Sequence, residues 1–220
     1  DSRFDIPHRI SLQASYTTPK YLNGWMSTTV GITYNASPGG RYSLSYDDAK
    51  DFNGDGSRGT TLLYIPTDKE LEDMNFVDNF DKQGNLIMSK EESREAFRQW
   101  ILNDDYAKNH RGQFAERNSN LTKWEHEINL HVAQDIFYLK ERGSKIQVTF
   151  DVINFANMLN KKWGANYYLP YNLTPVTVSG STNADGILVP EYTFKDQSNV
   201  LTKNDISSRW HCQVGVRLTF

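Results

Sequence analysis

The sequence predicts an all-β protein, because five segments alternate between apolar and polar residues with a period of two. The clearest segment is Trp210 to Phe220, in which even positions are apolar and odd positions are polar or glycine. Such alternation gives an extended strand one apolar and one polar face. It fits a half-buried strand of a soluble sheet as well as a strand of a transmembrane barrel. The predicted strands lie near residues 8–17, 25–35, 125–137, 146–155 and 209–220.

The lengths of the connections favour the barrel. The connections at 17–24 and 138–145 are short, whereas those at 36–123 and 156–208 are very long. In an antiparallel arrangement, both short connections fall at one rim and both long ones at the other. Outer-membrane barrels have short periplasmic turns and long extracellular loops, whereas soluble sandwiches carry loops at both ends. We therefore expect an antiparallel transmembrane β-barrel segment of about five strands, with long, partly helical extracellular loops.

Composition excludes several other classes of protein. The chain has 220 residues, of which 38% are hydrophobic, and no run of about 18 apolar residues that would form a transmembrane helix. A net charge of −3 provides no bulk attraction to nucleic acid. The single cysteine, Cys212, allows no internal disulfide. Because no nucleophile elbow, phosphate-binding loop or dinucleotide-binding pattern occurs, we expect that the chain is not an enzyme.

The long connections contain signals for helices. Ser89 and Glu92 form a capping-box pattern, and apolar residues at helical spacing follow them. The sequence therefore predicts a helix from about Lys90 to Asn103. Two shorter helical segments are predicted at 67–75 and 104–109.

One motif resembles the start of a calcium-binding loop. Asp51, Asn53 and Asp55 place oxygen ligands at positions 1, 3 and 5, and Gly56 permits the sharp turn at position 6. Position 12 is Leu62 rather than the bidentate glutamate, so the pattern is incomplete. The motif predicts either a calcium site or a polar turn that binds nothing. Calcium is the only cofactor that the sequence suggests.

Aromatic residues cluster in the long connections. Aromatic faces stack on sugars or pack against peptides, and binding residues often lie on loops. These side chains therefore either bind a ligand or form small cores within the loops. The candidate ligand-binding residues are Tyr42, Tyr46, Trp100, Tyr106, Tyr167 and Tyr168.

Several stretches, taken in order, resemble the C-terminal β-barrel portion of a TonB-dependent outer-membrane transporter of the Bacteroidota type, related to Oar-like and SusC-like receptors. They are spread over most of the chain, and their order and spacing are more specific than any single one. The resembling stretches are Phe4–Ile10, Asp51–Gly56, Leu63–Pro66, Arg117–Asn120, Trp124, Gln134–Phe137, Gln147–Asn154, Asn157–Asn160, Trp163–Gly164 and Val214–Phe220.

The resemblance implies a place and a role for the chain. Residues 1–220 would form the last five strands of a larger barrel in the bacterial outer membrane, whose lumen holds a plug domain. The barrel would take up an oligosaccharide, peptide or chelate at its extracellular loops, with energy supplied through periplasmic TonB. The partners would be the rest of the barrel, the plug and membrane lipids, with or without a surface lipoprotein, and no nucleic acid. The terminal Phe220 would be the signal for the barrel-assembly machinery.

The alternative interpretation is a soluble all-β module that binds carbohydrate in a calcium-dependent manner. Such a module would use the same aromatic residues and the Asp51 motif. Solubility without detergent separates the two interpretations. Five strands cannot close a barrel of that size and would leave two unpaired edges in lipid, so the barrel interpretation requires the rest of the barrel.

Overall fold

A computed structural model describes residues 2–48, 56–57, 59–139, 144–170, 172–182, 184–185, 187–198 and 200–220. The chain folds into two compact units. The first, here called the sheet unit, comprises Ile6–Gly39, Thr122–Tyr168 and Thr202–Phe220. The second, here called the mixed unit, comprises Asp1–Asp5, Gly40–Leu121 and Leu169–Leu201. Each long connection of the sequence contributes most of its residues to the mixed unit.

The regular elements are dominated by strands, so the all-β prediction is confirmed. The longer strands are β1 (Ile10–Thr17), β2 (Met26–Pro38), β3 (Trp124–Leu139), β4 (Ser144–Ile153), β5 (Val176–Thr182), β6 (Leu188–Phe194) and β7 (His211–Thr219). The helices are α1 (Asp68–Asp73), α2 (Lys90–Asn103), a 3₁₀ turn (Ala107–Asn109), α3 (Phe155–Leu159) and α4 (Asp205–Ser208). Short strands pair as Arg41–Tyr42 with Asn120–Leu121, Tyr64–Ile65 with Gln113–Phe114, Asn79–Phe80 with Leu86–Met88, and Tyr167–Tyr168 with Thr202–Lys203.

The sheet unit contains one five-stranded antiparallel sheet in the order β1-β2-β3-β4-β7. Its strands lie in the five segments that the alternation predicts, although β2 runs three residues further, to Pro38, and β4 ends earlier, at Ile153. The short connection predicted at 138–145 includes residues 140–143, which lie outside the described part of the chain. The β1–β2 turn uses Leu22, Asn23 and Gly24, which all have positive φ.

The register places residues of the same kind side by side across the sheet. Tyr16 pairs with Val30, which pairs with Val132, and the row continues through Phe150 to Val214. Paired residues of neighbouring antiparallel strands have their side chains on the same face of the sheet. Because apolar residues pair with apolar residues, the apolar sides of all five strands lie on one face. The alternation of five separate segments thereby becomes one apolar and one polar surface.

The mixed unit has a hydrophobic core of its own. Leu44, Leu63, Leu71, Phe97 and Val176 are fully buried in it. The antiparallel β5–β6 hairpin supplies one wall, and β5 also pairs in parallel with Asp47–Asp48. The sequence predicts one long loop at 156–208, whereas the structure has the β5–β6 hairpin within it. Its alternation at Val176 and Val178 was the available signal, and it was too short to stand out.

The helix predicted from about Lys90 to Asn103 and the shorter one at 67–75 are confirmed as α2 and α1, and the segment at 104–109 contains the 3₁₀ turn. Ser89 caps α2, and its hydroxyl accepts the Glu92 amide while the Glu92 carboxylate accepts the Ser89 amide at 2.9 Å. Thr67 and Glu70 form the same reciprocal cap on α1. Backbone donation to these carboxylates holds the pKa of Glu70 and of Glu92 below the usual glutamate range. None of the helices that the structure describes is long and apolar enough to cross a membrane.

Candidate functional site

The first candidate surface is the apolar face of the five-stranded sheet. Even-numbered residues of the five strands share this face because they register with even-numbered partners, up to the irregularity after Phe137, where Leu139 pairs with Ser144. Many of these side chains are exposed to solvent, with Val214 at 65% and Val216 at 69%. The exposed apolar side chains on this face include Ile10, Leu12, Tyr16, Val30, Ile32, Trp124, Val148, Phe150, Val214, Val216 and Leu218.

Aromatic rings lie at both ends of this face. Tyr16 lies on this face at the end of the short β1–β2 turn and is exposed; Trp25, which is also exposed, directly precedes β2 at the same end of the sheet. Tyr34 and Trp124 lie at the other end, and each stacks on the ring of His126. The Tyr34 hydroxyl and His126 Nδ1 are 2.9 Å apart, so the edge of this cluster is hydrogen-bonded.

Gln134 is the main polar exception on the apolar face, and its amide is hydrogen-bonded. Its Oε1 accepts the Thr28 hydroxyl at 2.7 Å and the Tyr21 hydroxyl at 3.0 Å. Its Nε2 donates to the Ser27 carbonyl at 3.1 Å. A polar side chain with its partners satisfied is compatible with an apolar surrounding, whereas an unpaired one is costly there.

The opposite face of the sheet is polar and internally paired. His131 Nδ1 lies 2.5 Å from an Asp151 carboxylate oxygen in the neighbouring strand. Lys145 Nζ donates to Asp135 at 2.6 Å, and Gln147 donates to the other oxygen of the same carboxylate at 2.8 Å. This face therefore carries charged and hydrogen-bonding side chains, whereas the even-numbered face carries mainly apolar ones.

A cleft of about 490 Å³ opens within the mixed unit. The Lys195–Asp47 ion pair, 2.6 Å long, lies on its wall. Ser45 is fully buried there, and Gln197 donates its Nε2 protons to the carbonyls of Thr174 and Lys195. Within the described residues, neither Ser45 Oγ nor Gln197 Oε1 has a hydrogen-bond partner. Unpaired buried oxygens are met by water or by a ligand that donates O–H or N–H.

The predicted ligand-binding aromatics do not form one surface. Tyr42, Tyr46, Trp100 and Tyr106 belong to the mixed unit and pack in or against its core, whereas Tyr167 and Tyr168 belong to the sheet unit. Packing is favoured because a buried ring removes more apolar area from water than an exposed one. Of the first four, Tyr46 also lines the cleft.

Burial raises the pKa of the tyrosines in this core. Burial and, second, the nearby Asp104 raise the pKa of Tyr42 to about 12. Burial and the neighbouring Tyr192 raise the pKa of Tyr46 even further. Both phenols are neutral at physiological pH, and Tyr46 is among the residues that line the cleft.

The predicted calcium ligands Asp51, Asn53 and Asp55 lie outside the described residues. Among the residues that are described, no group of three His, Cys, Asp or Glu side chains could hold a metal ion. The terminal Phe220 follows β7 and is 97% exposed.

Sequence reasoning missed a clasp in the sheet unit. Asn154 has a left-handed backbone, with φ +54°, and its Nδ2 donates to the carbonyls of Gly164 at 2.8 Å and Ser208 at 2.9 Å. The Ser208 hydroxyl in turn accepts the Asn166 amide at 2.9 Å. No local sequence signal indicated this contact, because Asn154, Gly164 and Ser208 are too distant in sequence to be connected without the fold.

Comparison with protein-family models, with curated proteins and with solved structures found no match to this chain.

Proposed function

We propose that this chain is the C-terminal part of the barrel wall of a TonB-dependent transporter in the bacterial outer membrane. The observation that carries the proposal is the five-stranded antiparallel sheet with one exposed apolar face and one polar, paired face. Transmembrane barrels need this division, because lipid surrounds the outside and a polar lumen lies inside.

The apolar face argues against the soluble alternative. Soluble monomers rarely expose contiguous apolar patches larger than a few hundred Å². Rows such as Val30, Phe150 and Val214 would leave a large apolar surface in water. A soluble carbohydrate-binding module would have to expose this apolar surface to water, whereas the wall of a transmembrane barrel requires an apolar surface against lipid.

The height of the apolar face suits a bilayer. Trp124 and Tyr138 lie near the two ends of β3, 14 residues apart. At about 3.3 Å per residue and a tilt of about 45°, this separation projects to about 33 Å along the membrane normal. The hydrocarbon core is about 30 Å thick, and barrel aromatics gather at its two boundaries.

In this proposal β1 and β7 pair with the rest of the barrel, because an open strand edge has no hydrogen-bond partners in lipid. The polar face, with His131 and Asp151, lines the lumen beside the plug. The end that carries the long connections is extracellular, and the cleft beside Ser45 is where an oligosaccharide, peptide or chelate would bind. The protein is a transporter rather than an enzyme, and TonB and a surface lipoprotein are its further partners.

Membrane extraction tests the proposal. The full-length protein should remain in the outer-membrane fraction after washing with alkaline carbonate and with urea, and should need detergent for release. A matched control is a periplasmic protein of similar size expressed in the same cells. Recovery of the protein in the detergent-free wash as a stable β-rich monomer would overturn the proposal and favour the soluble module.

A further inference from the structure

A second pocket lies on the apolar side of the sheet unit, at the end of the sheet that carries the long connections. It measures about 370 Å³. Trp124, His126 and Ile128 of β3 line one side, and Trp163 and Tyr167 line the other. Its lining is mostly carbon, which suits an apolar or amphipathic ligand.

The far wall of this pocket is held in place by hydrogen bonds. Asn157 donates its Nδ2 protons to the carbonyls of Lys161 at 3.2 Å and Trp163 at 2.8 Å. Asn154 donates to the carbonyl of Gly164, whose φ of +57° and close approach to the Asn154 side chain leave no room for a Cβ. A wall fixed in this way loses little conformational entropy when a ligand binds.

Positive charge lies at this pocket, and no described acidic residue lines it. Lys123 directly precedes β3, and Lys162 directly precedes Trp163. Both lysines are exposed and line the pocket. The acids nearest along β3, Glu125 and Glu127, alternate with the pocket residues and register with the polar face. The pocket therefore combines an apolar floor with two ammonium groups.

The segment before Trp163 has the character of a membrane boundary. Met158 and Leu159 of α3 are 40% and 62% exposed, Trp163 is 55% exposed, and Lys161 and Lys162 lie between them. Exposed apolar side chains beside lysine and tryptophan are typical of elements at the level of lipid headgroups. Here Lys162 and Trp163 line the same pocket as Trp124, His126 and Ile128 of β3.

We propose that this pocket binds the phosphate-bearing headgroup of a lipid in the outer leaflet. Lys123 and Lys162 attract the phosphate, the Trp124 and Trp163 rings lie against the headgroup, and the carbon-lined floor contacts the start of an acyl chain. This inference rests on the proposed membrane location. A free phosphate ion would use the two lysines but not the floor, so competition by inorganic phosphate separates the two.

The experiment uses the full-length protein purified from membranes in mild detergent. Native mass spectrometry would measure binding of diphosphorylated lipid A and of the same lipid after removal of its phosphates. Lys123→Gln and Lys162→Gln should each weaken binding of the phosphorylated lipid by about fivefold, which corresponds to roughly 1 kcal/mol per basic residue near an anionic surface. Lys20→Gln is the matched control, because Lys20 contacts Phe137 at the opposite end of the same sheet.

The outcomes are distinguishable. Selective weakening by Lys123→Gln and Lys162→Gln, absent for the dephosphorylated lipid and for Lys20→Gln, supports the pocket. Equal behaviour of the three variants overturns it and leaves the barrel proposal standing. Displacement of the lipid by inorganic phosphate alone at millimolar concentration also overturns it, in favour of a simple anion site. Release of the protein by the alkaline wash would overturn both proposals together.

Discussion

Val214→Arg separates a lipid-facing sheet from a soluble one. Val214 lies in β7 on the apolar face, with Phe150 as its partner in β4. It lies four residues from Trp210 and six from Phe220. For a strand that rises about 3.3 Å per residue with a tilt of about 45°, these separations are about 9 Å and about 14 Å along the membrane normal. Val214 would therefore lie near the middle of an apolar band about 25 Å tall.

Lipid and water predict different losses of folding free energy for Val214→Arg. An arginine near the midplane of a barrel costs about 2–4 kcal/mol, which is about 30-fold to 900-fold in the folding equilibrium. In water, a substitution at an exposed position changes stability by no more than about 0.5 kcal/mol. Gln213→Arg is the matched control, because Gln213 is the preceding residue and registers with Asp151 on the polar face.

The assay is urea unfolding of the full-length protein refolded into phospholipid vesicles, followed by tryptophan fluorescence. Val214→Arg should lower the free energy of unfolding by about 2–4 kcal/mol, and Gln213→Arg should change it by less than about 0.5 kcal/mol. If the two variants lose the same stability, or if Val214→Arg behaves as a surface substitution, the assignment of the even-numbered face to lipid is refuted.

Two further predictions concern the connections. Gly164→Ala should destabilise the sheet unit by about 1–3 kcal/mol, because the new Cβ meets the Asn154 amide at a strained positive φ; Gly40→Ala, where nothing lies within 4 Å, should be nearly neutral in the same chemical unfolding measurement. Equal effects of the two glycine substitutions would contradict the clasp. The Ser89 amide lowers the pKa of Glu92 in the folded protein. The contribution of the Glu92 carboxylate to the stability of the fold is therefore fully present above the unfolded pKa of about 4.3, and it is lost as the pH falls through the folded pKa. Glu92→Gln should therefore flatten the acid dependence of amide hydrogen exchange in α2, and an unchanged pH profile would argue against this cap.

Much of the local structure could be predicted from the sequence. Period-two alternation placed all five strands of the sheet, because a strand with one apolar and one polar face must alternate. The Ser89 and Glu92 pair predicted where α2 begins, since its amides find their partners within four residues. These features depend on neighbours in the sequence, so the chain itself contains the information.

Sites made by distant segments could not be predicted in the same way. The aromatic residues looked alike in sequence, yet Tyr46 is buried while Tyr168 is 46% exposed. The cleft brings Ser45 together with Gln197, and the second pocket brings Trp124 together with Trp163. Nothing in the local pattern around any of these residues indicates its partner.

The sequence by itself determined which residues form strands, which face of each strand is apolar, and where the capped helices begin. Only the tertiary structure decided the register that merges five apolar stripes into one surface, and the burial of the loop aromatics. The physical reason is range: alternation and capping act over a few residues, whereas register and pockets depend on contacts such as that of Asn154 with Ser208, 54 residues apart.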